Sequence, residues 1–273
     1  MNDEPSSPME SVDKALLALQ ALSKAGDGLS LGALAGALGL KRNSLHRTLA
    51  ALRFRGFVVQ DSSTGNYQLG PTVLQMADDY LSGSRLRQIF HPVLQTLVEE
   101  VNELCHLGIL EGFDIIHLDK IEPQQSIRVW SSIGSRSAAV TSALGRAIIA
   151  FLYDDFDSFS RRFNGTIPQR TPYTQTDWRE VWSEMQITRL RGYALENQEG
   201  QEGVSCVAIP VLRSGTPILS ISISAPSERM NRMRISELVT SIRRQVEPRL
   251  PVGLSLPKLE TQTLARSGLR ESG

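Results

Sequence analysis

The chain has no excess of charge of either sign: 29 lysines and arginines stand against 29 acids in 273 residues. A uniformly basic surface is therefore excluded, and any affinity for a polyanion must come from local clustering. Cysteine is scarce. Cys105 and Cys206 cannot build a disulfide framework, and a reducing compartment suits them. No apolar run approaches the length of a membrane span, so no transmembrane helix is expected. The stretch MNDEPSSPME is polar and acidic, without the apolar core of an export signal. These absences predict a cytoplasmic protein with no membrane partner.

What is present is an ordinary globular composition, 41% hydrophobic and 21% charged, over a length that suits two domains. Residues 1–9 and 251–273 are polar and rich in Pro, Ser or Gly, and read as flexible tails. In SVDKALLALQALSKA, Ser11 stands as an N-cap before Val12, Leu16, Leu19 and Leu22, a helical stripe. After a Gly-Asp-Gly break, Ser30 caps a short helix with Leu31, Leu34 and Leu38 inward, and Gly39 ends it. A third helix starts near Lys41 or Arg42, with Leu45, Leu49 and Leu52 as its core face. Phe57–Gln60 and Tyr67–Leu69 flank the turn-rich DSSTGN and read as a hairpin. The series is that of a winged helix-turn-helix over residues 10–71, with a linker helix over 72–84.

The third helix carries the chemistry. Its leucines leave Arg42, Asn43, Ser44, Arg47 and Thr48 free at its start, where a recognition helix meets base edges. Arginine pairs with guanine and asparagine with adenine in the major groove. Arg53 and Arg55 fall where phosphates run, and His46 suits a backbone contact. From Ser30 to Gly70 there are five cations against the single acid Asp61, a local charge of about +4 in a neutral chain. Charge alone would also fit a solvated surface helix. The ordered helix, Gly turn, basic helix and wing favour double-stranded DNA.

Beyond residue 85 the texture changes. RLRQIFHPVLQTLVEEVN is amphipathic through Leu86, Ile89, Val93, Leu97 and Val101, with Pro92 as a kink or break. CHLGILEGFDIIHLDKIE reads as two strands around a Gly-Phe-Asp turn, SIRVW as a third, and SCVAIPVL and PILSISISA as a hairpin around RSGT. Helices are expected from Ser142, through TDWREVWSEMQITRLRG up to Gly192, and over Asn231–Pro248. Trp130, Trp178 and Trp182 read as core or interface, the last two stacking at i, i+4. The fold class is α+β: strands and helices interleave around an antiparallel sheet over residues 85–250.

With SVDKALLALQAL, LSLGALAGALGLKRNSLHRTLAALRFRGFV, YQLG, TSALGRAIIA, RGYALENQEGQEGVSCVAIPV and SISISAP in order, the chain resembles the IclR family of bacterial transcriptional regulators from Ser11 to about Leu250. The resemblance implies a GAF-like α/β effector-binding and oligomerisation domain, a homodimer or homotetramer, and a small carboxylate metabolite as effector. It implies that backbone amides of Ser142, Ala143, Leu144 and Gly145 hold the carboxylate, with Glu196, Cys206, Ser222 and Ser224 in the same pocket. Strand alternation puts Ser222 and Ser224 on one face. The chain departs from the family at Glu196, where aspartate is common, at Val140, where histidine is, and at Arg146, where lysine is.

Two readings compete with a ligand-responsive regulator, leaning to repression: a Cys-dependent hydrolase with an appended DNA-binding head, and a ligand-independent DNA-binding protein. A reactive Cys206 needs a base, and none lies in its local sequence. Cys105-His106 with His117 does not match zinc spacing. No enzyme activity, metal or cofactor is expected.

Overall fold

The computed structural model describes residues 9–83, 85–124 and 131–258. The chain divides into two compact units between Ser84 and Arg85. The first holds α1 (Glu10–Ser23), α2 (Leu31–Leu38), α3 (Arg42–Phe54), β1 (Val58–Gln60), β2 (Tyr67–Leu69) and α4 (Pro71–Gly83). Ser30 Oγ accepts the Ala33 N–H at 3.2 Å and caps α2. Gly39, at φ 64°, turns the chain from α2 into α3, a conformation that glycine adopts without strain. β1 and β2 pair antiparallel and form the wing. Ala18, Leu22, Leu34, Leu45, Leu49, Val58 and Tyr67 form the core.

The first helix is rotated from its expected setting. It begins at Glu10, so Ser11 lies inside its first turn and caps nothing. Ala18 and Leu22 face the core, while Val12 and Leu16 are about half exposed. The apolar stripe is wider than the one face that the other helices cover, so part of it projects from the unit.

The second unit contains α5 (Arg85–Val101), β3 (Leu104–Glu111), β4 (Asp114–Ile121), β5 (Arg136–Ala138), α6 (Ala143–Ile149), α7 (Phe156–Arg162), α8 (Trp178–Arg191), β6 (Ala194–Asn197), β7 (Val204–Arg213), β8 (Thr216–Pro226), α9 (Arg232–Val246) and β9 (Leu254–Ser255). The strands form one antiparallel sheet in the order β5-β4-β3-β8-β7-β6, with β9 on β7. Its two faces differ because alternate residues differ in kind. Cys105, Leu107, Val207, Ile209, Ile221 and Ile223 meet Phe90, Leu94 and Leu97 of α5 and Leu238 and Ile242 of α9. The opposite face of β8 carries Ser220, Ser222 and Ser224, all buried. Ser220 Oγ donates to the Leu144 carbonyl at 2.9 Å and ties α6 to that face. Small polar side chains on the remaining rungs leave room for a cavity.

Other expectations change in detail. Helix α5 runs through Pro92 without breaking. Trp182 stacks on Phe159, with ring centroids 5.3 Å apart, and Trp178 meets the same ring edge-on, so Phe159 separates the roles expected of a tryptophan pair. The C-terminal stretch expected as a tail from 251 starts instead with structure: Leu254–Ser255 pairs with β7 and Leu256 is buried, because Leu212 and Arg213 offer an open strand edge. The expected strand SIRVW with Trp130, and residues 1–8 and 259–273 of the tails, lie outside the described residues. Among the described residues no helix is long and apolar enough to cross a membrane.

Candidate functional site

On α3 the packing decides which side chains are offered. Leu45 and Leu49 are fully buried and Leu52 packs beside them. Arg42, Asn43, His46 and Arg47 are exposed, while Ser44 and Thr48 are half-buried. Thr48 Oγ1 donates to the Ser44 carbonyl at 3.2 Å, so Thr48 is turned toward its own helix. The Arg42 guanidinium rests over Gly32 of α2, where an added Cβ would come within 2.9 Å of it. No side chain caps the start of α3, and no acid lies in its first turn. Its first N–H groups and the exposed Lys41 are therefore open to an anion.

At the other end, Arg53 Nη1 donates to Gln60 Oε1 at 2.8 Å, and Gln60 Nε2 donates to the Gly65 carbonyl at 3.0 Å. Arg53 thus braces α3 against the wing while its side chain stays exposed. Arg55 is exposed, 5.4 Å from the ring of Phe54. Asp61 Oδ1 accepts from the Ser63 and Thr64 amides, both at 2.8 Å, and from their hydroxyls. These bonds hold its carboxyl down at about 2 and fix the wing turn.

In the second unit the polar sheet face encloses a cavity of about 150 Å³. Two rungs of the sheet make its floor. Glu196 pairs with Cys206 and Cys206 with Ser224 on one; Ala208 pairs with Ser222 and Ser222 with His106 on the next. Cys206 Sγ lies 3.1 Å from Ser224 Oγ. Ser142, Ala143 and Leu144 form the wall on the side of α6, and Arg170 with the loop at Gly200–Gln201 stands at the rim. Gly145 is the exception among the expected residues. It does not line the cavity: an added Cβ would meet the Ala139 carbonyl oxygen at 2.0 Å, and its amide already donates to Ser142 Oγ at 3.1 Å. Its lack of a side chain serves the close approach of α6 to the turn before it.

Charge in this unit is organised behind the wall. Arg146, 3% exposed, holds Glu199 with both terminal guanidinium nitrogens, the Nη2–Oε2 distance being 2.7 Å. Its Nε donates to the Val140 carbonyl at 2.8 Å. The fork matches a carboxylate as a single lysine ammonium could not. Glu196 Oε1 accepts from the amides of Glu199 and Gly200, which anchors the loop after β6. Burial outweighs those bonds and raises the Glu196 carboxyl above its ordinary range. Burial also pushes the Cys206 thiol well up, with the Glu196 carboxylate adding to the effect.

The far wall was not anticipated as part of this site. His106 and His117 meet edge-on with centroids 5.0 Å apart, beside Ser131 and Ser137. Among the described residues no three His, Cys, Asp or Glu side chains are grouped as metal ligands would be. The signal that could have found the two histidines is register. His106 stands opposite Ser222, so it shares the face of the serines.

A winged helix-turn-helix with an exposed cationic α3, followed by a sheet unit that holds a small cavity with hydroxyls, a carboxyl and ring nitrogens in its lining, is the build of a transcriptional regulator. Residues 11–62 match the IclR helix-turn-helix domain, and residues 78–248 match the family described as bacterial transcriptional regulator IclR, C-terminal. The chain belongs to the IclR family of bacterial transcriptional regulators. It is 31% identical over 241 residues to the HTH-type transcriptional regulator BhcR of Paracoccus denitrificans, covering 88% of this chain and 85% of that protein. It is 26% identical over 232 residues to the transcriptional repressor IclR of Escherichia coli, covering 84% of each. Among solved structures, its fold is similar to an IclR homologue from Microbacterium hydrocarbonoxydans complexed with 4-hydroxybenzoate. The TM-score is 0.74 at 17% identity, covering 87% of this chain and 99% of that one.

Proposed function

We infer that this regulator is a repressor whose operator binding is controlled by a small organic acid held in the cavity of the second unit. The observation that carries the reading is the cavity: Cys206, Ser222 and Ser224 present small polar groups to it, and its size suits one ring or a short chain. Ser142, Ala143, Leu144 and Glu196 complete the contacts we assign to the effector. Arg42, Asn43, Ser44 and Arg47 are assigned to base edges, and His46, Thr48, Arg53 and Arg55 to the phosphate backbone and to support of the helix. The structural relative that holds 4-hydroxybenzoate and the relative named as a repressor support this direction.

A homodimer would bring two copies of α3 to grooves about 34 Å apart on a pseudo-palindromic operator. The exposed Val12 and Leu16 of α1, and Leu74 and Met76 of α4, offer apolar surface for a second copy. The hydrolase alternative finds no support at Cys206. A nucleophilic cysteine needs a lowered pKa, and burial drives this one the other way.

Thermal-shift titration with small acids, 4-hydroxybenzoate and pyruvate among them, tests the reading. A hundredfold excess over Kd is expected to raise Tm by about 5–10 °C. Ser222→Trp, which fills the cavity, is expected to lose the shift. Stabilisation that survives Ser222→Trp would place the ligand elsewhere.

A further inference from the structure

The cavity is asymmetric in charge. At one end of its floor stands the Glu196 carboxyl, with Cys206 and Ser224 beside it. At the other end His106 and His117 face each other across 5.0 Å. Around them His106 Nε2 lies 2.7 Å from Ser131 Oγ, and His117 Nε2 lies 3.3 Å from Ser137 Oγ. Lys120 Nζ donates to the Ser131 carbonyl at 2.8 Å and pairs with Glu122. Both histidines are more than nine-tenths buried, and His117 Nδ1 has no hydrogen-bond partner among the described residues. A buried ring nitrogen left unsatisfied is unfavourable, and in a cavity wall it marks a place for a ligand atom.

We propose that the anionic group of the effector docks on His106 and His117, at the end of the cavity away from Glu196, and that its binding carries one proton into the site. This rests on the reading of the cavity as an acid site, and it places the acid's anionic end on the histidine wall instead of on the amides of Ser142, Ala143, Leu144 and Gly145 that the family resemblance implies. Hydrogen-bonding hydroxyls and ring nitrogens cluster at the histidine end, and the carboxyl group that would repel an anion lies at the opposite one. The proton comes from solvent and goes to one imidazole, so that an imidazolium faces the anion and both bury with no net charge.

Without an anion beside them both rings are neutral at neutral pH. Burial first, then the neighbouring His117 and Lys120, push His106 down to about 3, and burial with Lys120 pushes His117 down to about 4. An anion between them reverses the electrostatic balance and raises the value of at least one ring in the complex. The sign follows. Above about pH 4 the free protein lacks the proton and the complex keeps it, until the pH passes the raised value of the complex. Through that window affinity falls as pH rises, by up to tenfold per unit. The other titratable and charged groups in the lining are Glu196 on β6, Cys206 on β7 and Arg170, and Lys120 on β4 stands behind the histidines on the Ser131 carbonyl. Glu196 losing a proton would give a slope of the same sign, so it needs its own control.

The experiment is isothermal titration of the full chain with pyruvate, benzoate and 4-hydroxybenzoate at pH 6, 7 and 8, in two buffers of different ionisation enthalpy. Carboxyl groups titrate near or below about 4, so the probes stay anionic throughout. Benzamide and 4-hydroxybenzamide serve as neutral counterparts. The acid that binds best is expected to take up close to one proton, to lose affinity about tenfold per pH unit over part of the range, and to outbind its amide. His117→Gln and His106→Gln are each expected to weaken it about tenfold or more at pH 6 and to flatten the slope. Ser137→Ala, a smaller change, is expected to weaken it less and guards against misfolding of the histidine variants, which unliganded melting monitors. Glu196→Gln is expected to keep the slope. Acid binding without proton uptake, or a slope lost in Glu196→Gln and kept in both histidine variants, would overturn the proposal and leave the acid site standing. No binding of any acid would overturn the acid site itself, and this inference with it.

Discussion

Arg146→Ala lowers the unfolding free energy of the second unit by about 3–5 kcal/mol, the cost of removing one partner of a buried ion pair. The pair is buried on both sides, and Glu199 would be left facing the Gln175 amide alone, 3.0 Å from its Oε2. The loss also frees the loop after β6, because the Glu199 and Gly200 amides are what the Glu196 carboxylate grips. Arg146→Lys restores the charge but not the fork, and falls between the two. Urea unfolding followed by tryptophan fluorescence reads the effect cleanly, since Trp178 and Trp182 lie in the second unit and no tryptophan precedes Arg85 in the sequence. A loss below about 1 kcal/mol, the range of a surface pair, would mean that the pair is not sealed from water.

Asn43→Ala and Arg47→Ala each weaken binding to the specific operator by about 1–3 kcal/mol while changing binding to random duplex little. Both side chains are exposed on the face of α3 opposite Leu45 and Leu49. Arg42→Ala carries an added cost, because its guanidinium also rests against α2 at Gly32. Arg53→Ala behaves differently again: it flattens the salt dependence by about one unit and also loosens the wing through Gln60. An operator recovered by selection from random duplexes, titrated over a range of salt, separates these cases. Equal losses on specific and random DNA would show that Asn43 and Arg47 meet only phosphate.

What could be read in the residues depended on how local the information was. The cap at Ser30, the left-handed turn at Gly39 and the i, i+4, i+7 leucines of α3 act within one or two turns, and they specify that region directly. The Ile–Ser alternation of β8 announces two unlike faces within seven residues. The setting of α1 was less legible, because a stripe of Val12, Leu16, Leu19 and Leu22 is equally apolar on the side that faces away from the core. The pairing of β9 with β7 was hidden in a segment whose polar composition resembles a tail.

The cavity was half legible. Cys206, Ser222 and Ser224 follow from family resemblance and from alternation along single strands. His106 joins them only through the register of β3 on β8, which links residues far apart in the chain. His117 joins through a further strand, past an irregularity between Leu107 and Gly108 that no local pattern announces. Gly145 shows the converse limit: position in a motif assigned it to the ligand, and the approach of Ala139 gives it a packing duty instead.

An acid in the cavity is expected to alter the grip on DNA. Fluorescence anisotropy of the selected operator, titrated with the full chain with and without a saturating probe acid, measures that coupling. The acid is expected to weaken operator affinity about 5-fold or more, with no change in Ser222→Trp, whose DNA binding stays intact. A protein saturated with acid that binds its operator as tightly as the free protein would contradict this expectation.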